Sequence, residues 1–162
     1  MHSSFRPLAT LLLLALFPAA SVSAADLEIV RVFAGWRNAE SFSRVGEYFG
    51  GKKSGGGIIV LRTQPAERSG YYWLVRLKNH GAPLQGGRFE LQVISPSAPE
   101  PKTFVFAAEI PSGDSVFQLG LTGPDWPAAK SRPVAWHLRL LGADGAILLA
   151  KESFLWEQPG KK

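Results

Sequence analysis

Two apolar runs near the C-terminus have the residue pattern of β-strands. They read PVAWHLRLL, beginning at Pro133, and AILLAKESFLW, ending at Trp156. Gly142-Ala143-Asp144-Gly145 joins them, and Asp-Gly between strand-like runs favours a β-hairpin because glycine accepts the positive φ of the turn. The sequence therefore predicts a hairpin over residues 133–156.

Two turns are compatible with this hairpin: a two-residue Asp144-Gly145 loop, or a three-residue Ala143-Asp144-Gly145 loop with a bulge at Gly145. The shorter loop places Lys151 opposite Leu138 on the buried face, where an unpaired charge is costly. We therefore expect the three-residue loop. In that register one face carries Trp136, Leu138, Leu140, Leu148, Ala150 and Phe154, and the other carries His137, Arg139, Lys151 and Ser153.

The segment after residue 25 predicts a strand and then a change of structure. Residues 26–33 form a β-branched run with Arg31 near its exposed side, and Gly35-Trp36-Arg37-Asn38 breaks it. Asn38 is a suitable helix N-cap, and apolar residues then recur at helical spacing up to Phe49. We expect a short helix over 38–49, although a strand fits its alternation nearly as well.

Further strands are predicted over 58–63, 71–78, 88–95, 103–109 and 115–121, where apolar and polar residues alternate. The prolines between Pro96 and Pro101 predict a break, because proline cannot donate to a strand ladder. Trp73, Trp136 and Trp156 are predicted to be core residues. The other predicted core residues are Tyr71, Val75, Leu77, Phe89, Leu91 and Val93. In the strand over 103–109, Phe104, Phe106 and Ala108 alternate with Val105 and Ala107.

About eight short strands at this spacing are typical of a sandwich or barrel. We expect an all-β, antiparallel β-sandwich of about 7–8 strands with one short helix near the N-terminus; a small β-barrel is the alternative. In strand rhythm the chain resembles immunoglobulin and fibronectin type III domains. It lacks the cysteine pair and intervening tryptophan of immunoglobulin domains, since it contains no cysteine.

The N-terminus has the features of an export signal. Arg6 precedes an apolar run over 8–17, which is shorter than a membrane crossing needs, and Val22-Ser23-Ala24 supplies the small residues of a cleavage site. Cleavage is expected after Ala24, or alternatively after Ala25. We thus expect a signal peptide over 1–24, a single sandwich domain over 25–158, a disordered tail over 159–162 and a periplasmic or secreted protein with no membrane span after cleavage.

The formal net charge of +5 is modest and spread along the chain. It predicts no nucleic-acid partner and at most a weak attraction to acidic surfaces. Residues 50–57, GGKKSGGG, predict a solvated loop. Gly46 to Lys52 also fits the spacing of a phosphate-binding loop, but Lys53 stands where the hydroxyl residue is needed.

Candidate catalytic groups are few. His80 and His137 are the histidines beyond the signal segment, and both are expected to be ordinary solvated side chains rather than acid–base catalysts. Calcium ligands near Asp114 or Asp125 would need a run of alternating acids, which is absent. We expect no cofactor and no metal.

Aromatic residues in loops are the candidate ligand-binding groups. Trp126 lies between Asp125 and Pro127, and a rigid tryptophan offers a flat apolar face to a sugar or a protein. Trp36, Arg37 and Tyr72 are further candidates. The competing interpretation, which we favour for Trp126, is that it folds back and plugs the open end of the sandwich.

These features predict a non-catalytic, exported module that acts in protein–protein interaction or envelope assembly through loops or an edge strand. One alternative is a carbohydrate-binding module that uses Trp126, Trp36 and Tyr72. Another is a hydrolase. Exposed coplanar aromatic residues would favour the carbohydrate-binding module, whereas an enclosed pocket with convergent ionisable groups would favour an enzyme.

Overall fold

A computed structural model of the chain describes residues 26–42, 57–126, 129 and 131–156. Most of these residues lie in strands. In chain order the strands are β1 (Leu27–Arg37), β2 (Ile58–Arg62), β3 (Gly70–Asn79), β4 (Leu84–Ser95), β5 (Ala98–Ile110), β6 (Gly113–Thr122), β7 (Ala135–Leu141) and β8 (Ile147–Glu152).

The strands form two four-stranded sheets. Sheet A has the order β1-β3-β6-β2, and sheet B has the order β5-β4-β7-β8. Every neighbouring pair is antiparallel except β2 and β6, which are parallel. The described strands thus form an all-β sandwich and not a closed barrel, which confirms the predicted fold class.

The core lies between the sheets and follows the predicted alternation. Trp73, Val75 and Leu77 in β3 are completely buried, as are Phe89 and Leu91 in β4. In β5, Phe104, Phe106 and Ala108 are buried, whereas Val105 between the two phenylalanines is 58% exposed. Period-two alternation therefore identified the inner faces of these strands correctly.

A helical turn follows β1 at residues 40–42. The Asn38 side-chain oxygen accepts hydrogen bonds from the Ser41 backbone N–H at 3.0 Å and the Ser41 hydroxyl at 2.6 Å. This is the capping role predicted for Asn38. The rest of the predicted helix, the glycine-rich loop, the signal peptide and the 159–162 tail lie outside the described residues.

The predicted break at residues 35–38 is wrong for its first three residues. Trp36 pairs with Tyr71 and Arg37 pairs with Gly70, so β1 continues to Arg37. A register shift between Ile29 and Arg31 keeps Ile29, Val32 and Trp36 on the inner face, opposite Leu77, Val75 and Tyr71.

The predicted break at Pro96 to Pro101 is also too long. Only Pro96 and Ser97 form the turn, and β5 begins at Ala98. Because β5 is the outermost strand of sheet B, it tolerates Pro99 and Pro101, which would disrupt a central strand.

The C-terminal hairpin has the predicted turn but not the predicted register. The Gly142 carbonyl accepts from the Gly145 N–H at 3.0 Å, the Gly142 N–H donates to Ala146 at 2.9 Å, and Gly145 has φ 83°. These bonds define the three-residue loop with its bulge at Gly145.

A second register shift follows that turn and reverses the predicted faces. Leu141 pairs with Ile147, but Leu140 pairs with Leu149, so Leu148 is an extra residue. Lys151 consequently lies opposite Leu138, the arrangement that was expected only for the two-residue loop. Because β8 is an edge strand, the Lys151 side chain is nevertheless exposed to solvent.

Trp156 is a further correction, because it is not part of the core. Its ring stacks on His137 with centroids 5.4 Å apart, and His137 faces away from the other sheet. Trp136, by contrast, packs against the core as predicted. Among the described residues, no helix has the length and apolar character needed to cross a membrane.

Candidate functional site

Trp126, the first predicted ligand-binding residue, is largely inaccessible. It follows a short 3-10 turn over Gly123–Asp125, and only 5% of its surface is exposed. Its indole N–H donates to the Ser131 carbonyl at 3.3 Å, and its ring centroid lies 5.3 Å from that of Tyr71. The side chain closes one end of the sandwich and presents no open face to a ligand.

Asp125 is held in a network beside a small cleft. Its carboxylate accepts from Lys102 Nζ at 3.0 Å and from Gln64 Nε2 at 3.1 Å. Burial would raise the pKa of Asp125, but hydrogen bonds from Gln64, Lys102 and Thr63 outweigh that effect and lower it. Asp125 is therefore a paired carboxylate that ties this loop to both sheets.

The cleft itself has a volume of about 270 Å³ and lies between Lys102, Asp125 and Trp126 on one side and the β4–β5 turn on the other. Lys102 bonds to Asp125 and is 66% exposed in its side chain. This exposed ion pair does not provide two carboxylates in contrasting environments for acid–base chemistry.

Tyr72 is completely buried although it faces away from the core. Its ring packs against Gly120, where a Cβ would overlap it, and Phe42 lies over it at 4.9 Å. The hydroxyl donates to the Arg68 carbonyl at 2.7 Å and accepts from Arg62 Nε at 2.8 Å. Burial raises the pKa of Tyr72, and the positive charges of Arg62 and Arg37 partly oppose that shift.

The structure does not bring the five predicted site residues together on one surface. Trp36 is partly buried and lies opposite Tyr71, so it shares the closed end of the sandwich with Trp126. Arg37 and Tyr72 belong to the outer face of sheet A. Trp36, Tyr72 and Trp126 therefore do not form the exposed, coplanar set that would favour sugar binding.

His137 lies on the outer face of sheet B, as predicted. Its Nε2 is 4.0 Å from a Glu152 carboxylate oxygen, and its Nδ1 is 3.4 Å from Gln92 Oε1. Within the described ranges no group of three or more histidine, cysteine, aspartate or glutamate side chains is placed to hold a metal ion.

Sequence reasoning missed the edge of sheet B that β5 forms. The directions of the backbone N–H and C=O groups in this sheet follow from one hydrogen bond. The Trp136 carbonyl accepts from the Ser153 N–H at 2.9 Å, so Trp136 directs its backbone groups toward β8. Successive residues of a strand direct these groups to opposite sides. His137 and Arg139 therefore direct theirs toward β4.

The same alternation of backbone directions shows which residues of β5 face β4. His137 pairs with Gln92, so Gln92 faces β7 and its neighbour Leu91 faces β5. Leu91 lies opposite Phe104, which must then face β4. Every second residue of β5 therefore directs its N–H and C=O groups away from β4. In this stretch these residues are Thr103, Val105 and Ala107.

A groove lies beside this free edge, between the two sheets. It has a volume of about 460 Å³ and is lined by Ile59 and Leu61 of β2 and by Ala108 and Ile110 of β5, together with residues around Pro83. Because β2 and β5 end their respective sheets on the same side, the groove is the open seam of the sandwich.

Comparison with known proteins assigns no family: no protein-family model matches the chain, and no curated protein matches its sequence significantly.

Proposed function

We propose that the protein is a non-catalytic, exported binding module that assembles with a partner protein by adding a strand of that partner to the edge of β5. The observation that carries this proposal is the row of outward-directed N–H and C=O groups at Thr103, Val105 and Ala107, which pair with no strand in the described part of the chain. An extended peptide can satisfy such groups by continuing the sheet.

The edge of β5 lacks the usual protection over this stretch. Natural edge strands avoid pairing through prolines, charged residues, bulges or short length. Pro101 removes an outward N–H just before the stretch, but Thr103 to Ala108 contains neither proline nor charge. Val105, in the middle, exposes 58% of its surface.

The seam groove specifies the chemistry of the added strand. A strand paired with β5 would lie about 4.8 Å farther out and would direct alternate side chains toward β2. Those side chains would meet Ile59 and Leu61, which are partly buried and pack on the core. The partner segment is thus extended, with apolar residues at every second position.

Proline substitution tests the proposal while leaving the β4–β5 ladder intact. Ala107→Pro removes an N–H that points away from the sheet, as Pro101 already does. Peptides selected from a displayed random library for binding to the wild type are expected to bind Ala107→Pro at least tenfold more weakly, since several ladder bonds and their register are lost. They are also expected to alternate apolar and polar residues.

The matched control is Ala150→Pro on β8, the opposite edge of the same sheet. Lys151 pairs with Leu138, whose backbone faces β8, so the Ala150 N–H points away from β7. Affinity for the selected peptides is expected to be unchanged in this variant. Equal binding to wild type and Ala107→Pro, with melting temperatures preserved, would refute strand addition at β5.

A further inference from the structure

Two arginines lie directly opposite each other on the outer face of sheet A. Arg31 of β1 pairs with Arg76 of β3, and both side chains are exposed. Like charges in such a pair destabilise a sheet. Among the described residues, neither arginine has a carboxylate within 4.0 Å.

A local irregularity in β1 creates this pair. Ile29 lies opposite Leu77, and a regular register would then place Val30 opposite Arg76 and turn Arg31 inward. The shift between Ile29 and Arg31 instead turns Arg31 outward and leaves Val30 47% exposed. Such bulges commonly redirect side chains at functional surfaces.

Apolar groups surround the arginine pair on the same face. Phe33 is 58% exposed, and the Arg31 guanidinium carbon lies 5.0 Å from the centre of its ring. Ile58, at the far end of the row that contains both arginines, is 38% exposed. A shallow groove of about 430 Å³ beside the pair is lined by Val30, Arg76 and Val116 and also by Lys78, Asp114 and Ser115.

The outer face of sheet B has a different character, because its charges neutralise one another. Glu90 lies 2.7 Å from Arg139 and 3.5 Å from Arg88. In this part of the structure the arginines already have anionic partners. The outer face of sheet A also carries Glu28 and Asp114, which lie on either side of Lys78. Neither carboxylate lies within 4.0 Å of Arg31 or Arg76, so an external anion would complement this arginine pair.

We propose that the outer face of sheet A docks on a bilayer surface that contains anionic lipids, with lipid phosphate groups between Arg31 and Arg76. Phosphate suits this place because arginine binds it through directed, charge-assisted hydrogen bonds. Phe33 and Val30 enter the apolar boundary of the bilayer, as apolar residues of interfacial proteins do. A soluble acidic polymer would supply the charge but leave these apolar groups in water.

This docking surface is distinct from the proposed strand-addition edge. Docking through sheet A leaves β5, which belongs to sheet B, available to a partner. Peptide binding at β5 and vesicle binding at sheet A can therefore succeed or fail independently.

The test is co-sedimentation of the protein with lipid vesicles of phosphatidylcholine alone or of phosphatidylcholine with phosphatidylglycerol. Binding is expected only to the anionic vesicles and is expected to weaken as salt rises. Arg31→Gln/Arg76→Gln is expected to reduce the partition coefficient about twenty-five-fold, at roughly fivefold for each arginine. Phe33→Ser is expected to reduce it about tenfold.

The control Arg132→Gln/Lys151→Gln removes two exposed positive charges away from this face and is expected to partition as the wild type does. Equal losses in the control and the Arg31/Arg76 variant would overturn the proposal. Full vesicle binding by Phe33→Ser, together with equally strong binding to polyglutamate, would also overturn it and identify a soluble acidic polymer as the ligand class. Thermal melts verify folding, and the Arg31/Arg76 variant is expected to melt no lower than the wild type because a like-charge pair is removed.

Discussion

Tyr71 and Tyr72 are adjacent in sequence and face opposite sides of sheet A, yet both are buried. Tyr71 packs between Trp73 and Trp126 in the core, with ring centroids 5.1 and 5.3 Å away. Tyr72 lies outside the sheet under Phe42, and its hydroxyl makes two hydrogen bonds. The two phenol groups therefore contribute differently to stability.

We expect Tyr72→Phe to lower the free energy of unfolding by about 1–2 kcal/mol, because the Arg68 carbonyl loses its donor and Arg62 its acceptor. Tyr71→Phe is the control, since the Tyr71 hydroxyl makes no hydrogen bond to another described residue. Urea denaturation of the two variants measures the difference. Equal midpoints would show that the Tyr72 hydroxyl bonds are not stabilising.

Alternation along β3 predicted that Tyr71 points inward, but it could not predict how Tyr72 is covered. That burial depends on Phe42 and Gly120, which are distant in sequence and meet Tyr72 only in the folded chain. The same limit explains the result for Trp126. The sequence shows a rigid loop tryptophan, whereas its exposure depends on Tyr71 and Ser131.

At the scale of the element, local sequence determines the turn of the β7–β8 hairpin but not the pairing of its two strands. The turn depends on four consecutive residues, and Gly145 adopts φ 83° as the Asp-Gly signal requires. The shift at Leu148 is not a property of the turn. It brings Leu149 opposite Leu140 in the core and Lys151 opposite Leu138. The position of Lys151 is tolerated because an edge strand gives its ammonium group access to water.

Gly145→Ala is expected to destabilise the protein by about 1 kcal/mol, because an alanine at positive φ is strained. The nearest atom to an added Cβ is Arg88 Nη2 at 3.6 Å, so the cost is conformational and not steric. Gly145→Asn is expected to cost less, since asparagine tolerates this conformation. Chemical denaturation compares the two variants, and an asparagine variant less stable than the alanine variant would contradict this account.

Hydrophobic alternation could not identify β5 as an edge strand, because edge status is a property of strand order. Thr103 to Ala108 alternates equally well for a central or an outer strand. Pro99 and Pro101 were a usable signal, since prolines two residues apart in an alternating run indicate an edge strand more readily than a break. Sheet order was not deducible from strand rhythm alone.

At the scale of the whole molecule, the two outer faces differ in how their charges are compensated. Sheet B carries a network of Glu90 with Arg88 and Arg139, and beside it lies His137. Burial, the largest influence, lowers the pKa of His137 below its usual 6.5, while Glu152 opposes this shift and Arg139 adds to it. The folded protein therefore favours the neutral imidazole.

This shift predicts how stability depends on pH. Because the folded-state pKa of His137 is below the unfolded value, the unfolded chain binds more protons between the two values, and stability falls as pH drops below about 6.5. The stability contribution is fully present above that pH. Urea midpoints measured from pH 7.5 downward are expected to fall less steeply in His137→Gln than in wild type.

His80→Gln, which changes an exposed loop histidine, is the control and should retain the wild-type pH dependence. If it flattens the pH profile as much as His137→Gln does, the effect does not arise from His137.

The aromatic rings at the closed end of the sandwich have an optical consequence. Trp73, Tyr71 and Trp126 follow one another with ring centroids 5.1 and 5.3 Å apart, in tilted and fixed orientations. Chromophores held this closely in an asymmetric setting couple their excited states and give the near-ultraviolet circular dichroism that disappears when packing loosens. The molecule thus contains an unlabelled spectroscopic reporter, which would register any movement of Trp126 away from Tyr71.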